Sequence, residues 1–184
     1  MILPMYIFGQ PVLRKVANEV EENYPNLKEL INNMFETLKR SEGVGLAAPQ
    51  IGLPIRLFIV DLDCLSQDSP EFKGYLKTFI NPEIVELSKE TCSIEEGCLS
   101  VPGIHEPVKR PSKILLNYLD ENFEEHEEWF EGFPARVVQH EYDHLDGKMF
   151  IDHLSAFRKQ LIKSKLIAMT KGKFEASYKC KPNR

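Results

Sequence analysis

The spacing of apolar residues predicts an amphipathic helix early in the chain. Between residues 25 and 40, apolar side chains recur at helical intervals, at Leu27, Leu30, Ile31, Met34, Phe35 and Leu38. Side chains three and four residues apart lie on one face of an α-helix, so this face is expected to be buried. Residues 42–52, with the sequence EGVGLAAPQIG, are too rich in glycine and proline to continue the helix.

Shorter apolar runs predict strands in the middle of the chain. Residues 55–62 are typical of a buried strand, and residues 76–87 and 89–97 are typical of two strands that meet at a turn. Residues 112–119 and 124–130 flank the turn sequence DENF, which predicts a β-hairpin.

Two more helices are predicted in the last third of the chain. Pro134 suits the first turn of a helix of about a dozen residues, and Gly147 suits its C-terminal cap. Ser155 can cap a second helix that runs to Gly172 and carries Phe157, Leu161, Ile162, Leu166 and Met169. The order of elements predicts a single α+β domain over residues 1–184, in which mixed or antiparallel strands surround the first of these two helices.

Composition and charge narrow the class of protein. The chain has 184 residues, of which 42% are hydrophobic, and its net charge of −5 argues against a nucleic-acid partner. No window approaches about 18 uninterrupted apolar residues, so no membrane association is expected. The four cysteines show no paired spacing, which fits a reducing compartment such as the cytoplasm, where a thiol can remain a metal ligand.

The helix predicted after Pro134 contains the pattern His-Glu-x-x-His. His140 and His144 are four residues apart, so their imidazoles point the same way and can hold one cation. Glu141 can reach a water on that cation without being a ligand itself. The alternative is that both histidines pack in the core or face solvent.

The motif alone leaves the third metal ligand open. The extended pattern that ends in a third histidine is absent, because Phe150 stands at that position. Downstream, Glu175 lies in a polar tail, and Asp146 and Asp152 are too near the motif in sequence to share its helical face. His153 is an alternative that has no pattern behind it. Upstream, Cys98 lies where a strand is expected to end in a sharp bend. A thiolate there would complete a three-ligand site with one open position, which is typical of catalytic metal centres, although a lone cysteine is more often inert core.

Three separated motifs resemble those of the peptide deformylases. They are GVGLAAPQ at residues 43–50, EGCLS at residues 96–100 and QHEYDH at residues 139–144. The resemblance, closest to the bacterial form, implies a metal-dependent hydrolase that removes the formyl group from the N-terminal methionine of nascent polypeptides. It implies one divalent metal, Fe²⁺ in nature with Zn²⁺, Ni²⁺ or Co²⁺ as alternatives, and the ligands Cys98, His140 and His144.

The resemblance also implies roles in the reaction. Hydroxide generated at the metal would attack the formyl carbon, and Glu141 would act first as general base and then as general acid. The Gln50 side-chain amide and the Leu99 N–H would stabilise the oxyanion. The residues expected to bind the substrate are Gly43, Val44, Gly45, Phe133, Arg136 and Val137. For the glycines the alternative is a simple turn, and for Val44, Phe133 and Val137 it is core packing.

Two positions depart from the family pattern, and two other functions remain as rivals. Arg136 stands where members commonly have an aliphatic residue, and it is expected either to reach the substrate backbone or to pair with a strand glutamate. His105 stands where many members have an arginine near the peptide entrance. The rivals are a metalloprotease with a downstream third ligand and a non-catalytic module with a closed metal site. The lysine-rich C-terminal helix is expected to be a solvated face, with ribosome association as the alternative.

Overall fold

The structure, a computed structural model, describes residues 1–181. The strands in this part of the chain are β1 (Met5–Tyr6), β2 (Gly45–Ala47), β3 (Leu57–Asp61), β4 (Leu76–Leu87), β5 (Thr91–Cys98), β6 (Val101–Pro111), β7 (Lys113–Leu119), β8 (Glu125–Glu131) and β9 (Cys180–Lys181). The α-helices are α1 (Leu27–Arg40), α2 (Gly132–Leu145) and α3 (Ala156–Thr170). The predicted single domain also includes residues 182–184, which lie outside the described residues.

The strands form three sheets. The largest is antiparallel, with the strand order β2-β3-β4-β7-β8. Strands β5 and β6 form a separate antiparallel pair, and β1 and β9 form a short parallel pair. The mixed α+β fold predicted from the sequence is confirmed.

Helix α2 packs against the five-stranded sheet, with contacts to β2, β3, β7 and β8. Its apolar residues Ala135 and Val138 are fully buried there. Strand β3 is buried on both faces because Phe58 packs on the α2 side and Leu57 packs in the other hydrophobic cluster, with α1. A continuous apolar run of this kind is typical of a strand covered on both sides.

The end of α2 is fixed by the glycine predicted to cap it. Gly147 has a φ of +69°, and a Cβ there would lie 2.6 Å from the carbonyl oxygen of Arg14. The N–H of Lys148 donates to the Asp143 carbonyl at 2.9 Å, which satisfies one of the free carbonyls at the helix end. Glycine therefore permits both the turn and the close approach of the N-terminal segment.

Most predicted elements are confirmed, and the differences lie in how they pair. The helix over residues 25–40, the hairpin of β7 and β8, and the Ser155 cap of α3 are present, with the Ser155 hydroxyl accepting from the Arg158 N–H at 3.3 Å. The strands predicted at residues 76–87 and 89–97 are present as β4 and β5, but they join different sheets. Strand β6 was not predicted, and the glycine-rich stretch contains β2 and a 3₁₀ turn, Ala48–Ile51.

No helix within residues 1–181 combines the length and the apolar character needed to cross a bilayer.

Candidate metal centre

Cys98, His140 and His144 come together between α2 and the end of β5. One ligand atom from each of the three side chains lies within 4.8 Å of the other two. The Sγ of Cys98 is 3.3 Å from the Nε2 of His144. The convergence predicted from two separate segments of the sequence is therefore present.

The downstream alternatives to Cys98 are engaged elsewhere or stay outside this group. Asp146 pairs with Arg56, and Asp152 pairs with Arg14. The Nε2 of His153 lies 2.7 Å from the Oδ2 of Asp143, and Glu175 is exposed in the C-terminal segment.

The three side chains suit a divalent metal. Burial lowers the pKa of His144 to about 3, so its imidazole is neutral at physiological pH and one ring nitrogen keeps a lone pair for a metal. The buried Nδ1 of His144 has no hydrogen-bond partner among residues 1–181. One thiolate and two imidazoles are ligands that zinc and iron accept, and three protein ligands leave a coordination position open.

A buried carboxylate orients one of the two histidines. Glu96 Oε2 accepts a hydrogen bond from the Nδ1 of His140 at 2.8 Å, which leaves the Nε2 for the site. Glu96 also accepts from Arg110 and Arg136, each at 2.7 Å. Burial alone would raise the pKa of Glu96, but the hydrogen bonds from His140 and Arg110 outweigh it and hold the pKa well below its usual range. A carboxylate behind a metal-binding histidine fixes its tautomer and its ring orientation.

Sequence reasoning missed Glu96, although a signal was present. Glu96 and Cys98 are two residues apart on β5, and residues at that spacing point to the same face of a strand. The Glu96 side chain is therefore expected on the same face as Cys98, where it can contact another residue of the candidate metal site.

Arg136 pairs with a strand glutamate, which was one of its two predicted roles. Its Nη1 donates to Glu96 and to the Val108 carbonyl, and its Nη2 donates to the Cys92 carbonyl at 2.8 Å. The side chain is buried, with 3% of its surface exposed. The hydrogen bonds of its guanidinium to these protein groups leave only the Nε without a partner in the described chain.

Glu141 is buried beside the candidate metal ligands. Its Oε2 has no hydrogen-bond partner among the described residues, and burial raises its pKa to about 7. Gly45 allows this arrangement because a Cβ there would lie only 2.8 Å from the Cδ of Glu141. A carboxyl group with a pKa near neutrality is suited to taking up and releasing a proton.

The Gln50 side chain reaches the same place from the 3₁₀ turn after β2. Its Oε1 accepts from the Ala47 N–H at 2.8 Å, so the orientation of the amide is fixed. Its Nε2 therefore faces the site, 3.4 Å from the Sγ of Cys98 and 3.4 Å from the Oγ of Ser100. Leu99 and Ser100 form a two-residue turn, because Cys98 pairs with Val101 across it.

A cavity of about 510 Å³ opens beside these groups. Every residue predicted to bind substrate lies in its wall: Gly43, Val44, Gly45, Phe133, Arg136 and Val137. His105 also lines it, opposite Gly97 in the β5–β6 pair, as its position near the entrance predicted. Another part of the wall was not predicted. It comes from the C-terminal segment and consists of Glu175, Ala176, Ser177 and Tyr178.

Comparison with known proteins agrees with the geometry. Residues 2–160 match the family described as polypeptide deformylase. The peptide deformylase of Christiangramia forsetii is 48% identical over 191 aligned positions, which cover 100% of this chain and 97% of that protein. The peptide deformylase of Flavobacterium psychrophilum is also 48% identical, over 98% of this chain and 97% of that protein.

Solved structures show the same likeness. The peptide deformylase of Legionella pneumophila superposes with a TM-score of 0.81 at 38% identity and covers 93% of this chain and 96% of its own. A class I type b peptide deformylase of Acinetobacter baumannii, crystallised with Met-Ala-Ser bound, superposes with a TM-score of 0.76 at 37% identity, over 84% of this chain and 99% of its own. The chain therefore belongs to the peptide deformylase family and is a hydrolase of protein N-terminal processing.

Proposed function

We propose that this protein removes the formyl group from the N-terminal formyl-methionine of nascent polypeptides and releases formate. The observation that carries the proposal is the placement of the buried Glu141, whose Oε2 has no hydrogen-bond partner among the described residues, beside Cys98, His140 and His144 at one end of a cavity. The Met-Ala-Ser peptide bound to the Acinetobacter baumannii relative is a chain that begins with methionine, as the product of this reaction would.

Cys98, His140 and His144 would hold one divalent metal, Fe²⁺ in nature, with Zn²⁺, Ni²⁺ or Co²⁺ as substitutes. When bound, such an ion acts as a Lewis acid and supplies a nucleophile from water at neutral pH. Glu96 would keep the Nε2 of His140 directed at the ion through the hydrogen bond to its Nδ1.

The remaining steps belong to side chains and backbone groups of this chain. Glu141 accepts the proton from the attacking water and later gives it to the departing amine. The Nε2 of Gln50 and the N–H of Leu99 donate to the oxygen on which negative charge develops. Each donor of this kind lowers the barrier by about 3 kcal/mol.

The cavity wall would bind the peptide in an extended conformation. The backbone of Gly43 and Gly45 can pair with it as a strand would, because neither residue has a side chain in the way. Val44, Phe133 and Val137 provide apolar surface for the methionine side chain. The guanidinium of Arg136 would act on the substrate only from the edge of the wall, since protein groups already accept from both of its Nη atoms.

Helix α3 would be the contact with the ribosome. Its sequence carries several lysines, and Phe157 and Leu161 on it are 72% and 55% exposed. A basic helix with exposed apolar side chains can bind a phosphate backbone and a protein surface together. Nascent chains are made in the cytoplasm, which is where the proposal places the enzyme.

The test is formate release from formyl-Met-Ala-Ser by protein purified without oxygen, with metal content measured on the same sample. Glu141→Gln should keep the metal and the fold but lower turnover by about 10²–10⁴-fold, the range for loss of general acid–base catalysis. Glu127→Gln, in an exposed glutamate of β8, is the matched control. A non-catalytic metal module predicts that Glu141→Gln changes no function.

A second variant separates this proposal from a metalloprotease. Cys98→Ala should lose the metal, because the remaining two imidazoles do not make a stable site. Retention of one equivalent of metal by Cys98→Ala would indicate a downstream third ligand and overturn the proposed ligand set.

A further inference from the structure

The C-terminal segment, residues 173–181, returns from α3 to the cavity and is held by the start of the chain. The N–H of Met5 donates to the Lys179 carbonyl at 2.8 Å, and the N–H of Ile7 donates to the Lys181 carbonyl at 3.3 Å. The Nζ of Lys181 donates to the Tyr6 hydroxyl at 3.1 Å. These bonds place Tyr178 at a fixed point beside the site.

Tyr178 holds the outside of the turn that carries Leu99. Its hydroxyl donates to the Leu99 carbonyl at 2.8 Å, and its ring packs on the hydrophobic core. The next carbonyl along, that of Ser100, accepts from the Phe8 N–H at 2.8 Å. Two consecutive carbonyls of the turn are therefore held from outside, one by the C-terminal segment and one by the N-terminal segment.

On the inner side, the Nε2 of Gln50 contacts the Sγ of Cys98 and the Oγ of Ser100. The peptide units on either side of Leu99 are planar, so only its φ and ψ separate its N–H from its carbonyl. Fixing the carbonyl on one side and Cys98 on the other leaves the N–H of Leu99 little freedom to turn.

We propose that Tyr178 is a positioning residue that aims the Leu99 N–H at the developing oxyanion. This inference rests on the proposed deformylase function. It predicts that the hydroxyl, and not only the ring, contributes to turnover. Loss of a complete oxyanion donor lowers kcat by about 10²–10³-fold. Tyr178→Phe leaves the donor present but less well aimed, so kcat should fall by about tenfold.

KM should stay unchanged in Tyr178→Phe, because the phenylalanine ring keeps the cavity wall and the packing in place. The matched control is Tyr118→Phe. It removes the hydroxyl of a buried tyrosine that donates to Glu128 at 2.9 Å in the sheet, outside the cavity wall. This control should leave both kcat and KM as in the wild type.

A second measurement does not depend on catalysis. Amide hydrogen exchange at Phe8 reports on the same turn, since its N–H donates to the Ser100 carbonyl. Tyr178→Phe should accelerate that exchange by about fivefold, the effect of one net hydrogen bond, while Tyr118→Phe should not.

A lower kcat at constant KM together with faster exchange at Phe8 would support the inference. Turnover within twofold of the wild type, or exchange at Phe8 as slow as in the wild type, would overturn it. Absence of formate release from the wild-type protein would instead overturn the proposed function, and the exchange measurement would still report whether Tyr178 holds the turn.

Discussion

Replacing Gly45 with alanine tests whether the position of Glu141 depends on the absence of a side chain in β2. The added Cβ would lie 2.8 Å from both the Cγ and the Cδ of Glu141, so the carboxylate or the strand must move. A displacement of about 1 Å at a reacting group lowers the rate by about 10²-fold. Overpacking of this kind also lowers the free energy of unfolding by about 1–3 kcal/mol.

A double-mutant cycle separates this clash from a general effect of alanine in the strand. The turnover of Gly45→Ala is measured by formate release, and urea denaturation gives the free energy of unfolding for Gly45→Ala, Glu141→Ala and the double variant. Removing the Glu141 side chain makes room for the methyl group, so the destabilisation by Gly45→Ala should disappear in that background. Equal destabilisation in both backgrounds, or turnover of Gly45→Ala within threefold of the wild type, would refute the reasoning.

The other predictions concern the buried charged side chains next to the candidate metal centre. Glu96→Gln leaves Arg110 and Arg136 without their shared carboxylate, so the free energy of unfolding should fall by about 3–5 kcal/mol in urea titrations, and metal affinity should fall by about 10–100-fold in chelator competition. Hydrogen bonds and nearby cations outweigh burial and lower the pKa of both Glu96 and Asp143 in the folded protein. The unfolded chain therefore binds more protons below about pH 4, and urea titrations should show stability that is present at neutral pH and lost on acidification through that range, less steeply in Glu96→Gln. Arg136→Ala should lower thermal stability; an unchanged KM for formyl-Met peptides of every length would remove Arg136 from the substrate site.

Local sequence patterns predicted the positions of helices and strands better than they predicted which strands pair in a sheet. The helical spacing in residues 25–40 and the turn sequence between β7 and β8 depend on neighbours in the chain, and both were identified. The separation of β4 from β5 into different sheets depends on packing between distant segments, which apolar spacing does not encode. Strand β6 was missed because its sequence contains three prolines and a glycine, residues that are typical of loops.

The candidate site likewise contains residues that the sequence predicted and residues that it did not. The convergence of Cys98, His140 and His144 was predictable because each lies in a recognisable motif. The contribution of Tyr178 to the cavity was not, because it lies in a polar tail with no periodicity. The pairing of β9 with β1 brings that tail to the site.

The start of the turn at Leu99 and Ser100 links the position of the Cys98 sulfur to the direction of the Leu99 amide. The sulfur of Cys98 and the amide of Leu99 belong to adjacent residues, whose Cα atoms are about 3.8 Å apart in any trans peptide. The peptide unit that carries the Leu99 N–H begins at the carbonyl carbon of Cys98, so a backbone change at Cys98 that moves its sulfur also moves that amide. Under the proposed roles, a change on the helix that carries His140 and His144 would alter a metal ligand without turning that amide.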